Sequence, residues 1–129
     1  MLKAIKILLK DNLIIISIFV TISIGILSLI EPSKSTSLSI FKFENADKIQ
    51  HFFSYFCLAI CWLYTIKTAI QKRQSRFLVI ITCIIYGIII EVLQGTITTY
   101  RTADYKDIIA NSVGALLALL IFNTCSSKK

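Results

Sequence analysis

The sequence is poor in charge and lacks several short patterns that particular protein classes require. Charged residues make up 16% of the 129 positions, against roughly one-quarter in a typical soluble domain, so a soluble globular protein is not the first interpretation. No Ala-x-Ala-like site follows the first apolar segment, which predicts a retained helix rather than a cleaved signal peptide. No His-Glu-x-x-His pattern or comparable ligand spacing occurs, so the sequence predicts no metal and no cofactor.

Apolar runs dominate what is present. Residues are 56% hydrophobic with a mean hydropathy of +0.78, and four segments carry almost no charge: 13–30, 49–66, 77–94 and 108–123. A helix needs about 20 apolar residues, with a lower limit near 17, to cross the hydrocarbon core. We therefore predict an all-α polytopic membrane protein, a bundle of four transmembrane helices forming a single domain over residues 1–129. The first outer loop, 31–47, is compatible with a strand-like or an interfacial segment.

The basic residues indicate orientation rather than nucleic-acid binding. The net charge is +7, but the Lys and Arg side chains are spread over the flanks of the apolar segments instead of forming one patch. Nine lie on the side of the two termini and five on the other side. Because cytoplasmic loops carry the excess of Lys and Arg, we predict that both termini are cytoplasmic.

Polar side chains occur at the outward-facing ends of three apolar segments. They are His51, Glu91, Gln94, Asp107 and Asn111. At 1.5 Å per residue, His51 and Asn111 would lie roughly 6 Å, and Glu91 roughly 9 Å, below the outer boundary of the membrane. Ionisable groups at such depth are costly and by default mark a functional site. We therefore expect His51, Glu91, Asp107 and Asn111 to converge in one pocket together with Arg101, and Gln94 to share a helix face with Glu91.

Two aspartates stand where helix caps are expected. Asp47 precedes the second segment, with Gln50 completing a capping-box pattern, and Asp104 precedes the fourth. Near the expected pocket, four carboxylates face three cationic side chains, namely Asp47, Glu91, Asp104 and Asp107 against Lys48, Arg101 and Lys106. If all four carboxylates face inward, the pocket should prefer a cation. If Asp47 and Asp104 serve as caps, it should prefer an anion, and the sequence favours this second case.

Three blocks of sequence resemble one known family. Residues 47–55 are similar to the D-K-x-x-H-x-x-x-Y signature of the VanZ-like family of small membrane proteins. Residues 91–94 resemble its E-x-x-Q, and residues 101–114 resemble its R-x-x-D-x-x-D-x-x-x-N-x-x-G. The founding member is associated with teicoplanin resistance, so the resemblance implies a multi-pass protein of the bacterial cytoplasmic membrane with a role in the cell envelope.

Two functions remain open besides a purely structural membrane subunit with a buried polar network. The first is recognition of an anionic cell-envelope or lipid-linked component at the outer membrane face, and its candidate binding residues are Lys48, His51, Glu91, Gln94, Arg101, Asp104, Asp107 and Asn111. The second is a membrane-embedded hydrolase or transferase, with His51 as base, Glu91 or Asp107 as acid or orienting group, and Arg101 stabilising charge. The expected partner is the lipid bilayer, with no nucleic acid, and the sequence leaves the oligomeric state open.

Overall fold

The computed structural model describes residues 1–30, 45–69 and 72–127, which form four helices. In chain order they are α1 (Leu2–Leu29), α2 (Ala46–Ala69), α3 (Arg73–Ile97) and α4 (Tyr105–Ser127). Each contains a stretch long and apolar enough to cross a membrane. The prediction of an all-α, multi-pass membrane protein with four helices is therefore confirmed. The orientation of the termini stays a prediction, and most of the outer loop lies outside the described residues.

The helices are longer than the apolar runs that predicted them. α1 has 28 residues, about 42 Å of helix at 1.5 Å per residue, against a hydrocarbon core of about 30 Å. Each helix continues into the polar residues at its ends because the backbone hydrogen bonds continue past the apolar stretch. Long basic side chains at these ends can extend toward water. The charge pattern therefore locates the membrane boundary rather than the ends of the helices.

α2 and α4 form the most extensive helix pair in the bundle. Ala59, Ala115 and Ala118 are completely buried, and a Cβ atom built on Gly114 would overlap the carbonyl oxygen of Phe52. Small residues at such positions allow two helix backbones to approach closely, which is the main source of packing energy between helices in lipid. The close approach fixes α4 against the N-terminal half of α2.

α1 is attached to the rest of the bundle by polar contacts. The hydroxyl groups of Ser17 and Thr65 lie 2.8 Å apart, and the indole N–H of Trp62 donates to Thr21 Oγ1 at 3.0 Å. The Tyr86 hydroxyl donates to the carbonyl oxygen of Thr21 at 2.7 Å. The opposite face of α1 carries exposed apolar side chains, as expected for a helix that contacts lipid.

The up-and-down order of the four helices places the ends of α1 and α3 and the starts of α2 and α4 at the same end of the bundle. This end, which we call the polar end, holds the buried His51, Glu91, Gln94, Asp107 and Asn111. The fold thus brings the polar ends of three apolar segments to one membrane face.

Candidate ligand site at the polar end

The site consists of side chains from α2, α3, α4 and the connection between α3 and α4. We call it the polar cluster, and it comprises Asp47, Lys48, His51, Glu91, Arg101, Asp104, Asp107 and Asn111. Ion pairs and hydrogen bonds connect these residues. Four of them are buried, with exposed fractions of 7% for His51, 2% for Glu91, 5% for Asp107 and 1% for Asn111.

His51 lies at the centre of the cluster. Its Nδ1 atom is 3.1 Å from Asn111 Oδ1, and because a carbonyl oxygen can only accept, Nδ1 carries the hydrogen. The other ring nitrogen, Nε2, faces two carboxylates, at 3.7 Å from Asp107 Oδ2 and 3.8 Å from Asp47 Oδ1. The contact with Asn111 therefore fixes the orientation of the imidazole and directs Nε2 toward the two acids.

The start of α4 is capped by Asp104, which directly precedes the helix, and by Glu91 of α3. Asp104 Oδ1 accepts the backbone N–H of Lys106 at 2.9 Å, the bond of an N-cap side chain. In a capping box the third helical residue, here Asp107, would accept the N–H of the cap residue. Glu91 Oε1 accepts that N–H instead, at 2.7 Å. Because Glu91 of α3 takes this position, the carboxylate of Asp107 is free to face His51.

The capping bond also affects the acidity of Asp104, which precedes the first residue of α4. The backbone N–H of Lys106 stabilises the ionised carboxylate and lowers the pKa of Asp104 below its ordinary value, and the hydrogen bond from Lys48 lowers it further. Asp104 is therefore ionised at neutral pH and acts as a fixed negative charge at the rim of the cluster.

Among the residues that the structure describes, two cationic side chains contact the carboxylates of the cluster. Lys48 Nζ lies 3.4 Å from Asp104 Oδ2 and 3.7 Å from Asp107 Oδ1. Arg101 Nη2 donates to Asp47 Oδ1 at 3.1 Å. Both are about one-third exposed, with 30% of the side chain accessible. Arg101 therefore pairs with Asp47 of α2.

The predicted role of Asp47 as the N-cap of α2 is wrong. The helix begins at Ala46, the carbonyl oxygen of Asn45 accepts the N–H of Ile49 at 3.2 Å, and Asp47 lies in the first turn. Its carboxylate contacts Arg101 and faces His51. Of the two caps that favoured an anion site, only Asp104 makes the capping bond, and the charge of Asp47 stays within the cluster.

Gln94 and Tyr55 have surroundings that the sequence did not indicate. Gln94 is buried, and its amide donates to the carbonyl oxygen of Ser28 at 2.8 Å, which ties α3 to the end of α1. Tyr55 is also buried, and its hydroxyl has no hydrogen-bond partner among the described residues. Backbone carbonyl groups carry no sequence signal, so the contact of Gln94 with α1 was not predictable.

A pocket of about 50 Å³ adjoins the cluster between α1 and α2. Ile24 and Leu27 of α1 form an apolar wall, and His51, Tyr55 and Arg101 contribute polar groups on the other side. A volume of this size holds a small number of water molecules or one small polar group. The contribution of α1 was missed in the sequence because its apolar residues show no pattern that separates a pocket wall from a lipid-facing surface.

Three side chains of the polar cluster lie close enough together to bind one metal ion. One ligand atom each from Asp47, His51 and Asp107 lie within 4.8 Å of one another. Asp47 and His51 lie four residues apart on α2, but Asp107 belongs to α4, so no local sequence pattern could have shown all three groups together.

Comparison with family models assigns the chain to one family. A family model described as VanZ/LLP1 matches residues 5–126. An uncharacterized protein of Schizosaccharomyces pombe is 35% identical over 75 residues, which are 58% of this chain and 45% of that protein. The chain thus spans less than half the length of this relative. No solved structure matches the chain.

Proposed function

This chain belongs to the VanZ/LLP1 family, and on that premise we propose that it recognises the anionic headgroup of a membrane-anchored amphiphile at the polar end of the bundle. The observation that carries the proposal is the pocket with one apolar and one polar wall, formed by Ile24 and Leu27 on one side and His51, Tyr55 and Arg101 on the other. A molecule with a hydrocarbon chain attached to a small charged group has matching chemistry.

The donors around the pocket favour a phosphate or carboxylate. Arg101 uses one of its five N–H groups on Asp47, and its planar guanidinium is suited to paired contacts with such anions. The Tyr55 side chain lines the same pocket, and its buried hydroxyl has no hydrogen-bond partner among the described residues. The starts of α2 and α4 add positive partial charge at the same end.

Because one relative occurs in Schizosaccharomyces pombe, we define the proposed ligand by its chemistry rather than as a bacterial compound. It is an anionic headgroup on a hydrocarbon anchor. In a bacterial cytoplasmic membrane, with this end facing outward, such a ligand would be a lipid-linked cell-envelope component. A role in glycopeptide resistance of the teicoplanin type would follow from binding there. Expression of the wild-type chain and of His51→Ala and Glu91→Ala in a sensitive host tests that role through teicoplanin susceptibility, with membrane insertion checked for each.

The binding test compares farnesyl phosphate with farnesol, which have the same hydrocarbon chain but differ in charge. Purified full-length protein is held in a detergent solution that contains EDTA and no phosphate, and it is titrated with each compound by calorimetry. We expect saturable binding of the phosphate and none of the alcohol. Arg101→Gln should weaken binding roughly tenfold or more, since a hydrogen bond to a charged group contributes about 1.5–3 kcal/mol.

Lys106→Gln is the matched control for Arg101→Gln. It removes the same charge at the same end of the bundle, from an exposed residue whose backbone N–H, rather than its side chain, contacts Asp104. We expect little change in its affinity. Equal binding of farnesol, or an equal loss in both variants, would reject specific recognition of the headgroup.

An enzyme acting on the same lipid-linked ligand is the second candidate, favoured by the position of His51 between two carboxylates. In that case the imidazole would accept a proton from the attacking water or hydroxyl group. Release of inorganic phosphate from farnesyl phosphate by the wild-type protein, abolished in His51→Gln, would support this candidate. Binding without turnover would leave recognition as the function.

A further inference from the structure

We propose that Asp47, His51 and Asp107 form a binding site for a divalent first-row transition metal ion, Mn²⁺ or Zn²⁺. The sequence showed no metal-ligand spacing, because the three side chains come from α2 and α4 and meet only in the folded bundle. The inference does not depend on the proposed amphiphile, since it concerns the affinity of the cluster for the metal ion alone.

The geometry around His51 Nε2 is the first argument. With Nδ1–H directed at Asn111, a neutral imidazole presents the lone pair of Nε2 to Asp107 Oδ2 at 3.7 Å and to Asp47 Oδ1 at 3.8 Å. Ligands bound at about 2.1 Å to one ion lie about 3.0–4.2 Å apart, and both distances fall in this range.

The positions of the three side chains provide a second argument. Only 5% of the surface of Asp107 is exposed, and its Oδ1 atom has no hydrogen-bond partner among the described residues. Asp107 thus presents one oxygen to His51 and the other to Lys48 at 3.7 Å. Asp47 is partly exposed, with 44% of its side chain accessible, so its carboxylate can rotate. Such a rotation would shorten the third distance, between the ligand oxygens of Asp47 and Asp107, which is at most 4.8 Å.

The hydrogen bond to Asn111 is a third feature typical of metal sites. Histidine ligands usually donate their second ring N–H to a carbonyl or carboxylate oxygen, which fixes the tautomer and the direction of the lone pair. Asn111 provides this oxygen at 3.1 Å and is 1% exposed. Removal of such partners typically lowers metal affinity 10- to 100-fold.

Within the polar cluster itself the charge balance favours a cation, whereas the anionic headgroup is proposed to bind in the pocket that adjoins the cluster. The carboxylates of Asp47, Asp104 and Asp107 outnumber Lys48 and Arg101, the two cationic side chains that contact them among the described residues, even before Glu91 is counted. One imidazole nitrogen with two carboxylate oxygens is a mixed ligand set that suits Mn²⁺ or Zn²⁺. Three protein ligands leave coordination positions for water or for an anionic headgroup.

The test uses the fact that the chain contains a single histidine. Full-length protein without a histidine tag is stripped with EDTA and titrated with Mn²⁺ in detergent, and free Mn²⁺ is measured by electron paramagnetic resonance. We expect one ion per chain, displaced by Zn²⁺. Electron spin echo modulation should show coupling to the nitrogen of His51, and this coupling should vanish in His51→Gln.

Asp107→Asn and Asp47→Asn should each weaken binding at least tenfold, and Asn111→Ala should weaken it 10- to 100-fold. Asp11→Asn is the matched control, because it makes the same change on α1, about 27 Å of helix away from the polar end, and its affinity should stay near that of wild type. Circular dichroism verifies that each variant is helical. Absence of stoichiometric binding, binding without nitrogen coupling, or equal losses in Asp11→Asn and Asp107→Asn would overturn the proposal. Farnesyl phosphate binding in EDTA is measured separately, so either proposal can fail alone.

Discussion

Gly114→Ala should destabilise the bundle by separating α2 from α4. A Cβ atom at this position would overlap the carbonyl oxygen of Phe52 and would lie 3.1 Å from the carbonyl carbon of Phe52 and 3.2 Å from the backbone nitrogen of Phe56. Optimal contacts lie at about 3.5–4.0 Å. Because all three neighbouring atoms belong to the backbone of α2, no side chain can rotate away, and the helices must move apart.

Two costs determine the magnitude. Overpacking a close contact typically costs about 1–3 kcal/mol. Asn111 lies one turn before Gly114, so the same movement lengthens its 3.1 Å contact with His51 and leaves buried polar groups unpaired, at about 1–3 kcal/mol. We therefore expect Gly114→Ala to lower the free energy of unfolding by about 2–5 kcal/mol.

Reversible unfolding in mixed micelles, followed by circular dichroism, measures the change. Val113→Ile is the matched control, because it adds one methylene at the neighbouring position of α4, where 49% of the residue is exposed, and it should change stability by less than about 0.5 kcal/mol. A Gly114→Ala variant as stable as Val113→Ile would refute the close approach of α2 and α4.

Three further predictions concern other parts of the molecule. Loss of the hydrogen bond between Ser17 and Thr65 in Ser17→Ala or Thr65→Val should cost about 0.6–1.7 kcal/mol, and a double-mutant cycle in the same unfolding assay should assign the loss to the pair. If the termini are cytoplasmic, a cysteine at Thr102 should react with an impermeant maleimide added outside and one at Gln74 should not, in a background without native cysteines; the reverse pattern would invert the topology. Because its pKa is lowered by folding, Asp104 stabilises the protein above its ordinary pKa of about 3.9, and this contribution disappears as the pH falls through the lower folded value. Wild type should therefore lose more thermal stability than Asp104→Asn between about pH 5 and about pH 3, and equal losses would contradict the prediction.

The helices and the inward position of the polar residues were predictable from the sequence. His51 and Asn111 occupy helical positions whose neighbours repeat with the period of a helix, and the costs of burying polar groups in lipid require them to face other helices. Their meeting at one end of the bundle follows from four crossings. Periodicity and length were sufficient because both depend on local sequence.

The partners of the polar residues were not predictable. Glu91 accepts the backbone N–H of Asp104, a contact set by how the α3–α4 connection folds over the end of α3. Asp47 was placed as a cap because it precedes the apolar run, but the helix starts at Ala46, directly after Asn45, and the charged residue becomes a partner of Arg101. Such pairings depend on the packing of several helices and on backbone groups that look alike in every sequence.

The most direct test of the central claim is a distance between the bound headgroup and His51. Protein labelled with ¹⁵N at its single histidine, in phosphate-free glycolipid vesicles with bound farnesyl phosphate, permits a solid-state measurement of ³¹P–¹⁵N dipolar dephasing. If the polar cluster recognises the headgroup, the phosphorus should dephase against the imidazole nitrogen in wild type, and the effect should be lost in Arg101→Gln. A phosphate that binds with undiminished affinity but shows no coupling to His51 would contradict the account.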